Sequence, residues 1–85
     1  VIDVGFKNYI DEKKIVSILE PNSSKAKWLI KDAISGRRFI NCTQGKKASS
    51  LILLDTYHVI LSSLKCNSIK KRVNVIDINK KELMN

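Results

Sequence analysis

The chain has 85 residues, enough for one domain but not two, because halves near the floor of about 40 residues need disulfides, metals or partners to fold. A hydrophobic content of 44% excludes a disordered polymer, and 28% charged residues exclude a chain built mostly for a membrane. Sixteen Lys and Arg against eight Asp and Glu give a net charge of +8, so cationic partners are disfavoured.

That charge is unevenly placed. Residues 1–32 carry six lysines against Asp3, Asp11, Glu12, Glu20 and Asp32. From Ala33 to Ile76 the only acid is Asp55, against Arg37, Arg38, Lys46, Lys47, Lys65, Lys70, Lys71 and Arg72. A positive field confined to part of a chain steers anionic partners, with nucleic acid and anionic membrane as the main classes and a merely solvated lysine surface as the bland alternative. The longest uninterrupted apolar run is Leu51–Leu54, far short of the ~18 residues of a membrane span. Residues 1–20 lack a charged start followed by an apolar block, so a cytoplasmic location is expected, with Cys42 and Cys66 as reduced thiols outside any CxxC spacing.

In chain order, Val1–Phe6 has strand composition, with Ile2, Val4 and Phe6 on one face by period two and Gly5 marking a bulge or a close backbone approach. Lys7–Ile10 continues or turns that strand. Asp11–Lys14 is a charged tip before a second strand at Ile15–Leu19, which Glu20-Pro21 ends. Asn22-Ser23-Ser24 supplies cap oxygens for a helix whose apolar positions Ala26, Leu29, Ile30, Ala33 and Ile34 recur at helical spacing until Gly36. Trp28 lies off that stripe among Lys25, Lys27 and Lys31. It could stack a base or fold over lysine stems, but a subunit interface is favoured, because tryptophan anchors interfaces and short chains gain stability by assembling.

Phe39–Cys42 is a third strand. Thr43–Ser50 follows as a polar, doubly cationic loop turned by Gly45, whose positive-φ freedom lets Lys46 and Lys47 project from a hairpin-like tip. Leu51–Asp55 and Tyr57–Ser62 are two more strands, the first without polar alternation, so both of its faces should be covered and a second subunit could supply part of the cover. A short helix with a basic last turn is expected over Ile69–Val73, and residues 74–85 read as a tail or an arm onto a neighbour. The expected architecture is therefore α+β: a small, mostly antiparallel twisted sheet of about five short strands with one amphipathic helix and a short C-terminal helix.

Catalytic and metal signatures are missing. Gly45-Lys46 does not extend to a phosphate-binding loop, since position 40 is Ile and position 47 is Lys. Cys42, His58 and Cys66 have no metal-ligand spacing, and nothing gathers Ser, His and Asp into a nucleophile site, so the expectation is a non-enzyme without cofactor or small-molecule substrate.

Several blocks together resemble one family. Val4-Gly5-Phe6-Lys7-Asn8, Ile15-Val16-Ser17-Ile18, Pro21 with Ser23, Lys27, Ile30-Lys31-Asp32-Ala33, Thr43-Gln44-Gly45-Lys46-Lys47 and His58-Val59-Ile60-Leu61-Ser62 are similar in order and spacing to the RemA family of bacterial regulators, over residues 1–73. The resemblance implies a single LytTR-like domain that assembles into a ring, binds double-stranded DNA and regulates extracellular-matrix genes for biofilm formation. The family's loop arginine pair falls on Lys46 and Lys47, and a further arginine on Lys14. Lys13 and the turn-forming Gly45 complete the expected contact set. Every one of those arginines is lysine here, and Ser49 replaces a further basic residue of the family loop. Lysine neutralises phosphate as a point charge without the bidentate fork, so backbone-dominated binding with modest base readout is expected. The alternative is a structural or adaptor homo-oligomer with a protein partner. RNA has less support, because the five aromatics are scattered.

Overall fold

The computed structural model describes residues 1–73 and resolves the first strand signal into a hairpin. β1 (Ile2–Asp3) pairs antiparallel with β2 (Tyr9–Ile10), Ile2 opposite Ile10. Between them Gly5–Asn8 forms a turn in which Asn8 N–H donates to Gly5 O at 3.0 Å. The expected apolar face therefore ends at Val4, which is fully buried, while Phe6 is 41% exposed. Residues 74–85 lie outside the described residues.

Asp11 caps one turn of 3₁₀ helix (Glu12–Lys14), its carboxylate accepting from Lys13 N–H at 3.0 Å, and β3 (Ile15–Leu19) follows. Helix α1 (Ser24–Ser35) is capped by Ser23, whose Oγ accepts from Ala26 N–H at 3.1 Å. It stops at Gly36, but the left-handed residue of the stop is Arg37 (φ 58), not the glycine (φ −89). Gly36 instead leaves room: a Cβ there would sit 2.7 Å from Arg38 Nε. The Arg38 guanidinium folds back over that gap and donates to Tyr57 O at 2.7 Å and Asp32 Oδ2 at 3.0 Å. Of the expected helix stripe, Ala26 and Ala33 are buried and Leu29 and Ile30 partly so, whereas Ile34 is 58% exposed.

β4 (Phe39–Asn41), β5 (Ser50–Leu54) and β6 (Val59–Ser62) complete a four-stranded sheet of order β3-β5-β6-β4, antiparallel except for the parallel β4–β6 pair. The expected single sheet of about five strands is thus two sheets of two and four strands. A second helix, α2, occupies 66–73, beginning three residues before the expected start. Tyr57 is a turn residue (φ 67) instead of the first residue of the last strand.

The apolar central strands are covered on both faces by the chain itself. Leu51 and Val59, with Leu53 and Leu61, pack against Ala26 and Ala33 of α1. Ile52 and Ile60 pack on the other side against Ile2 and Val4 of the hairpin region, Cys42 just after β4 and Ile69 of α2. This alternation accounts for the unbroken Leu51–Leu54 run without any cover from a second subunit. Among the described residues, no helix is long and apolar enough to cross a membrane.

Two buried serines face each other in the register of β5 and β6 and differ in bonding. Ser62 Oγ donates to Val4 O and accepts from Leu64 N–H, tying the hairpin to the sheet, whereas Ser50 Oγ has no partner among the described residues. Ser62→Ala is expected to lose roughly 1–3 kcal/mol in urea unfolding by orphaning buried groups. Ser50→Ala should be neutral or stabilising by up to about 1 kcal/mol in the same measurement.

Candidate nucleic-acid interface

The sheet topology sorts the cations between its two ends. β5 begins, and β3, β4 and β6 finish, at one end, where the 43–49 connection, the Gly5–Asn8 turn and the starts of α1 and α2 are gathered. At the other end lie the 3₁₀ turn, Arg37, Arg38 and the β5–β6 turn, joined by Asp55 N–H donating to Lys14 O at 2.8 Å.

The 43–49 connection is not the expected hairpin tip. β4 and β5 are separated by β6, so the chain crosses the end of β6, fastened by Cys42 N–H to Leu61 O and Ser49 N–H to Ser62 O, both 2.8 Å. Within it Thr43–Lys46 is a tight turn closed by Lys46 N–H to Thr43 O at 3.0 Å. Gln44 (φ 49) and Gly45 (φ 81) both take left-handed backbone, the pattern of a type I′ turn. Thr43 is held in turn by Asn41 Oδ1, which accepts from its N–H at 3.0 Å and its hydroxyl at 2.7 Å. Lys46 and Lys47 leave this braced turn exposed to solvent.

Exposed Lys65 stands across a cleft of about 320 Å³ from Lys47, with Glu20 the one acid lining it. Lys7 is exposed in the neighbouring turn, and Lys25 in the first turn of α1. Cations therefore outnumber acids at this end. At the opposite end Lys13, Lys14, Arg37 and Arg38 are interspersed with Asp11, Glu12, Asp32 and Asp55, and the Arg38 charge is paired with Asp32. Exposed charges add only within about a Debye length of 10 Å, so the first end carries the net positive field and the second is close to neutral.

The expected contact residues thus split into two groups. Gly45, Lys46 and Lys47 lie together. Lys13 and Lys14 are exposed but sit at the far end of β5, five residues away, a span of roughly 17 Å at about 3.3 Å per residue. One subunit does not gather them into one patch. Sequence reasoning missed Lys7 and Lys65 because their proximity to the loop follows from strand order, which no local motif encodes.

The remaining candidates have structural surroundings. Burial pushes the Cys66 thiol up, helped by the Glu20 carboxylate, and its Sγ points to Leu19 O at 3.4 Å. Burial likewise raises the Cys42 thiol, so both stay protonated at neutral pH. His58 Nδ1 lies 2.8 Å from Thr56 Oγ1 beside β6. Among the described residues no three His, Cys, Asp or Glu side chains converge as metal ligands. Trp28 is 64% exposed and lines a groove of about 240 Å³ with Leu53 and the 70% exposed Tyr57.

Residues 1–73 match the RemA-like family, described as extracellular matrix regulatory protein A-like. The chain belongs to the RemA-like family. Its similarity to bacterial relatives runs over most of both partners. A protein of Nitratidesulfovibrio vulgaris (strain DSM 19637 / Miyazaki F) is 38% identical over 72 residues, covering 85% of this chain and 82% of the relative. One of Thermodesulfovibrio yellowstonii is 33% identical over 77 residues, covering 91% of each. One of Bacillus pumilus is 32% identical over 75 residues, covering 88% and 84%. All three are named only as candidate regulatory proteins. In this RemA-like chain the family match spans the hairpin, α1, the four-stranded sheet and α2, and so includes the whole cationic end.

Proposed function

We propose that this RemA-like chain is a cytoplasmic, non-enzymatic transcriptional regulator, a LytTR-like DNA-binding domain that assembles into a ring and acts on extracellular-matrix genes. The exposed Lys46–Lys47 pair on a hydrogen-bonded type I′ turn, at the end of the sheet where cations outnumber acids, supports the DNA-binding part of this reading. The backbone beneath the two ammonium groups is already fixed, so only side-chain freedom is lost when they meet phosphates. A single subunit with two or three such contacts binds weakly, and a ring repeats them along one duplex. In a ring, Lys14 and Lys13 of one subunit can also approach the Lys46–Lys47 turn of the next, which would reunite residues that one subunit keeps apart.

The test is native mass with and without duplex, combined with DNA affinity across a salt series. The expected result is a multimer whose log affinity falls with log salt more steeply than about −3, beyond what three contacts of one subunit supply at about −0.9 each. A monomer, or an affinity indifferent to salt, overturns it. The second reading, an adaptor oligomer with a protein partner, is favoured by the exposed Trp28–Tyr57 groove. It predicts the same multimer in light scattering but no gel shift with duplex at physiological salt.

A further inference from the structure

The two turns at the cationic end share a backbone form but not a composition. Thr43–Lys46 places Gln44 and Gly45 at its centre, and glycine adopts positive φ readily. Gly5–Asn8 is closed in the same way, by Asn8 N–H to Gly5 O at 3.0 Å, with Asn8 Nδ2 donating to the same oxygen at 2.7 Å. Its central residues are Phe6 (φ 52) and Lys7 (φ 61). Type I′ centres strongly favour Asn and Gly, and a bulky aromatic with positive φ is an outlier.

Burial does not offset that strain, since Phe6 is 41% exposed and Lys7 is exposed as well. The surroundings nevertheless fix the turn. Asp3 Oδ1 accepts from Gly5 N–H at 2.7 Å, Val4 N–H donates to Asn8 O at 2.8 Å, and Val4 O accepts from buried Ser62 Oγ. A Cβ built on Gly5 (φ 121) would lie 3.6 Å from Cys42 O and 3.8 Å from Ser63 Oγ, so the turn hangs from the same end of β6 as the Lys46–Lys47 connection. Strain held in place by its surroundings clusters at ligand-contact sites, where it presents side chains already in position.

We infer that the Phe6–Lys7 turn is a second DNA-contacting element, Lys7 neutralising a backbone phosphate and Phe6 laying its ring against sugar and base edges in the adjoining groove. This rests on the DNA-binding reading above and adds contacts to it. Because Lys7 sits where glycine is at ease, its binding role and its folding role carry opposite signs. Lys7→Gly relieves the backbone while removing the charge, and Lys7→Arg keeps both charge and strain.

The experiment measures thermal midpoint, native mass and duplex affinity over a salt series for wild type, Lys7→Gly, Lys7→Arg, Phe6→Ala and Lys46→Ala/Lys47→Ala. Lys7→Gly is expected to raise the midpoint yet weaken DNA binding, flattening the salt slope by about 0.9 per engaged subunit, with Lys7→Arg retaining the slope. Phe6→Ala is expected to weaken binding about fivefold with the slope unchanged, the mark of an apolar contact. If wild type binds DNA through Lys46 and Lys47 while Lys7→Gly and Phe6→Ala bind like wild type, this inference alone is overturned. A lower native mass for Phe6→Ala assigns the turn to subunit contact and also overturns it. No binding by wild type removes the underlying reading and this one together.

Discussion

Replacing Lys46 and Lys47 together by alanine should leave folding intact and remove most of the salt-dependent affinity for duplex DNA. Both side chains are exposed, and surface substitutions of this kind usually move stability by no more than about 0.5 kcal/mol, so a loss of binding cannot be assigned to unfolding. If three subunits of a ring engage one duplex, the six loop ammonium groups account for a slope near −5 in log affinity against log salt. The double variant loses that contribution, and its affinity at low salt should drop by at least about a hundredfold. Lys46→Arg/Lys47→Arg should keep the slope and tighten binding, because guanidinium adds bidentate geometry to the same charge. Lys13→Ala/Lys14→Ala tests the other end of the sheet. A loss as large as that of the loop variant would mean that neighbouring subunits bring the two ends together, and a small loss would leave the Lys46–Lys47 end acting alone. An unchanged slope in the loop variant would remove Lys46 and Lys47 from the interface altogether.

Local signals in the sequence located the elements well where one residue decides the outcome. Ser23 caps α1 as its hydroxyl chemistry implies, Pro21 follows the end of β3, and the unalternating Leu51–Leu54 run is covered on both faces. The covering groups were not legible, because Val4 and Ile69 reach Ile52 across long stretches of sequence. The helix stripe failed at Ile34, which is 58% exposed because it is turned by about 100° around the helix from its buried neighbour Ala33. The hairpin-tip expectation for the loop failed for a related reason: strand order β3-β5-β6-β4 inserts β6 between the strands on either side, and nothing local to residues 39–54 records that insertion. The site was legible to the same degree. Gly45 marked a positive-φ turn correctly, but the same backbone at Phe6 and Lys7 was invisible, because neither residue type signals it and it is held by hydrogen bonds of the flanking residues and by Ser62 from β6. Lys14 was grouped with Lys46 by the family resemblance, and the direction of β5 places them at opposite ends of one subunit.

If Trp28 lies in the interface of the proposed ring, Trp28→Glu is expected to dissociate it and, through that, to weaken DNA retention sharply without touching a phosphate contact. Trp28 is 64% exposed and Tyr57 beside it 70%, so within one subunit the substitution removes little packing, and any fall in thermal midpoint should reflect the lost subunit contact. At the centre of a subunit interface the same ring is worth at least about 2 kcal/mol, and a carboxylate driven into that contact adds the cost of desolvating a charge. Native mass should therefore fall from multimer to monomer while circular dichroism stays constant. The effect on DNA then follows from effective concentration: once the first subunit binds, each further loop of a ring is delivered at high local concentration, which raises overall affinity by roughly 10²–10⁴ without any new contact. A monomeric Trp28→Glu variant retains Lys46 and Lys47 but loses that gain, and its salt slope should fall to the value for two or three phosphates, between about −2 and −3. That combination separates the two roles, since the loop variant keeps the mass and loses the loop's share of the slope, whereas the tryptophan variant loses the mass and keeps the slope of one subunit. If Trp28→Glu keeps the multimer, the interface lies elsewhere on the surface, and exposed Val16 on the edge strand β3 or Ile40 on the opposite edge strand β4 becomes the next position to charge.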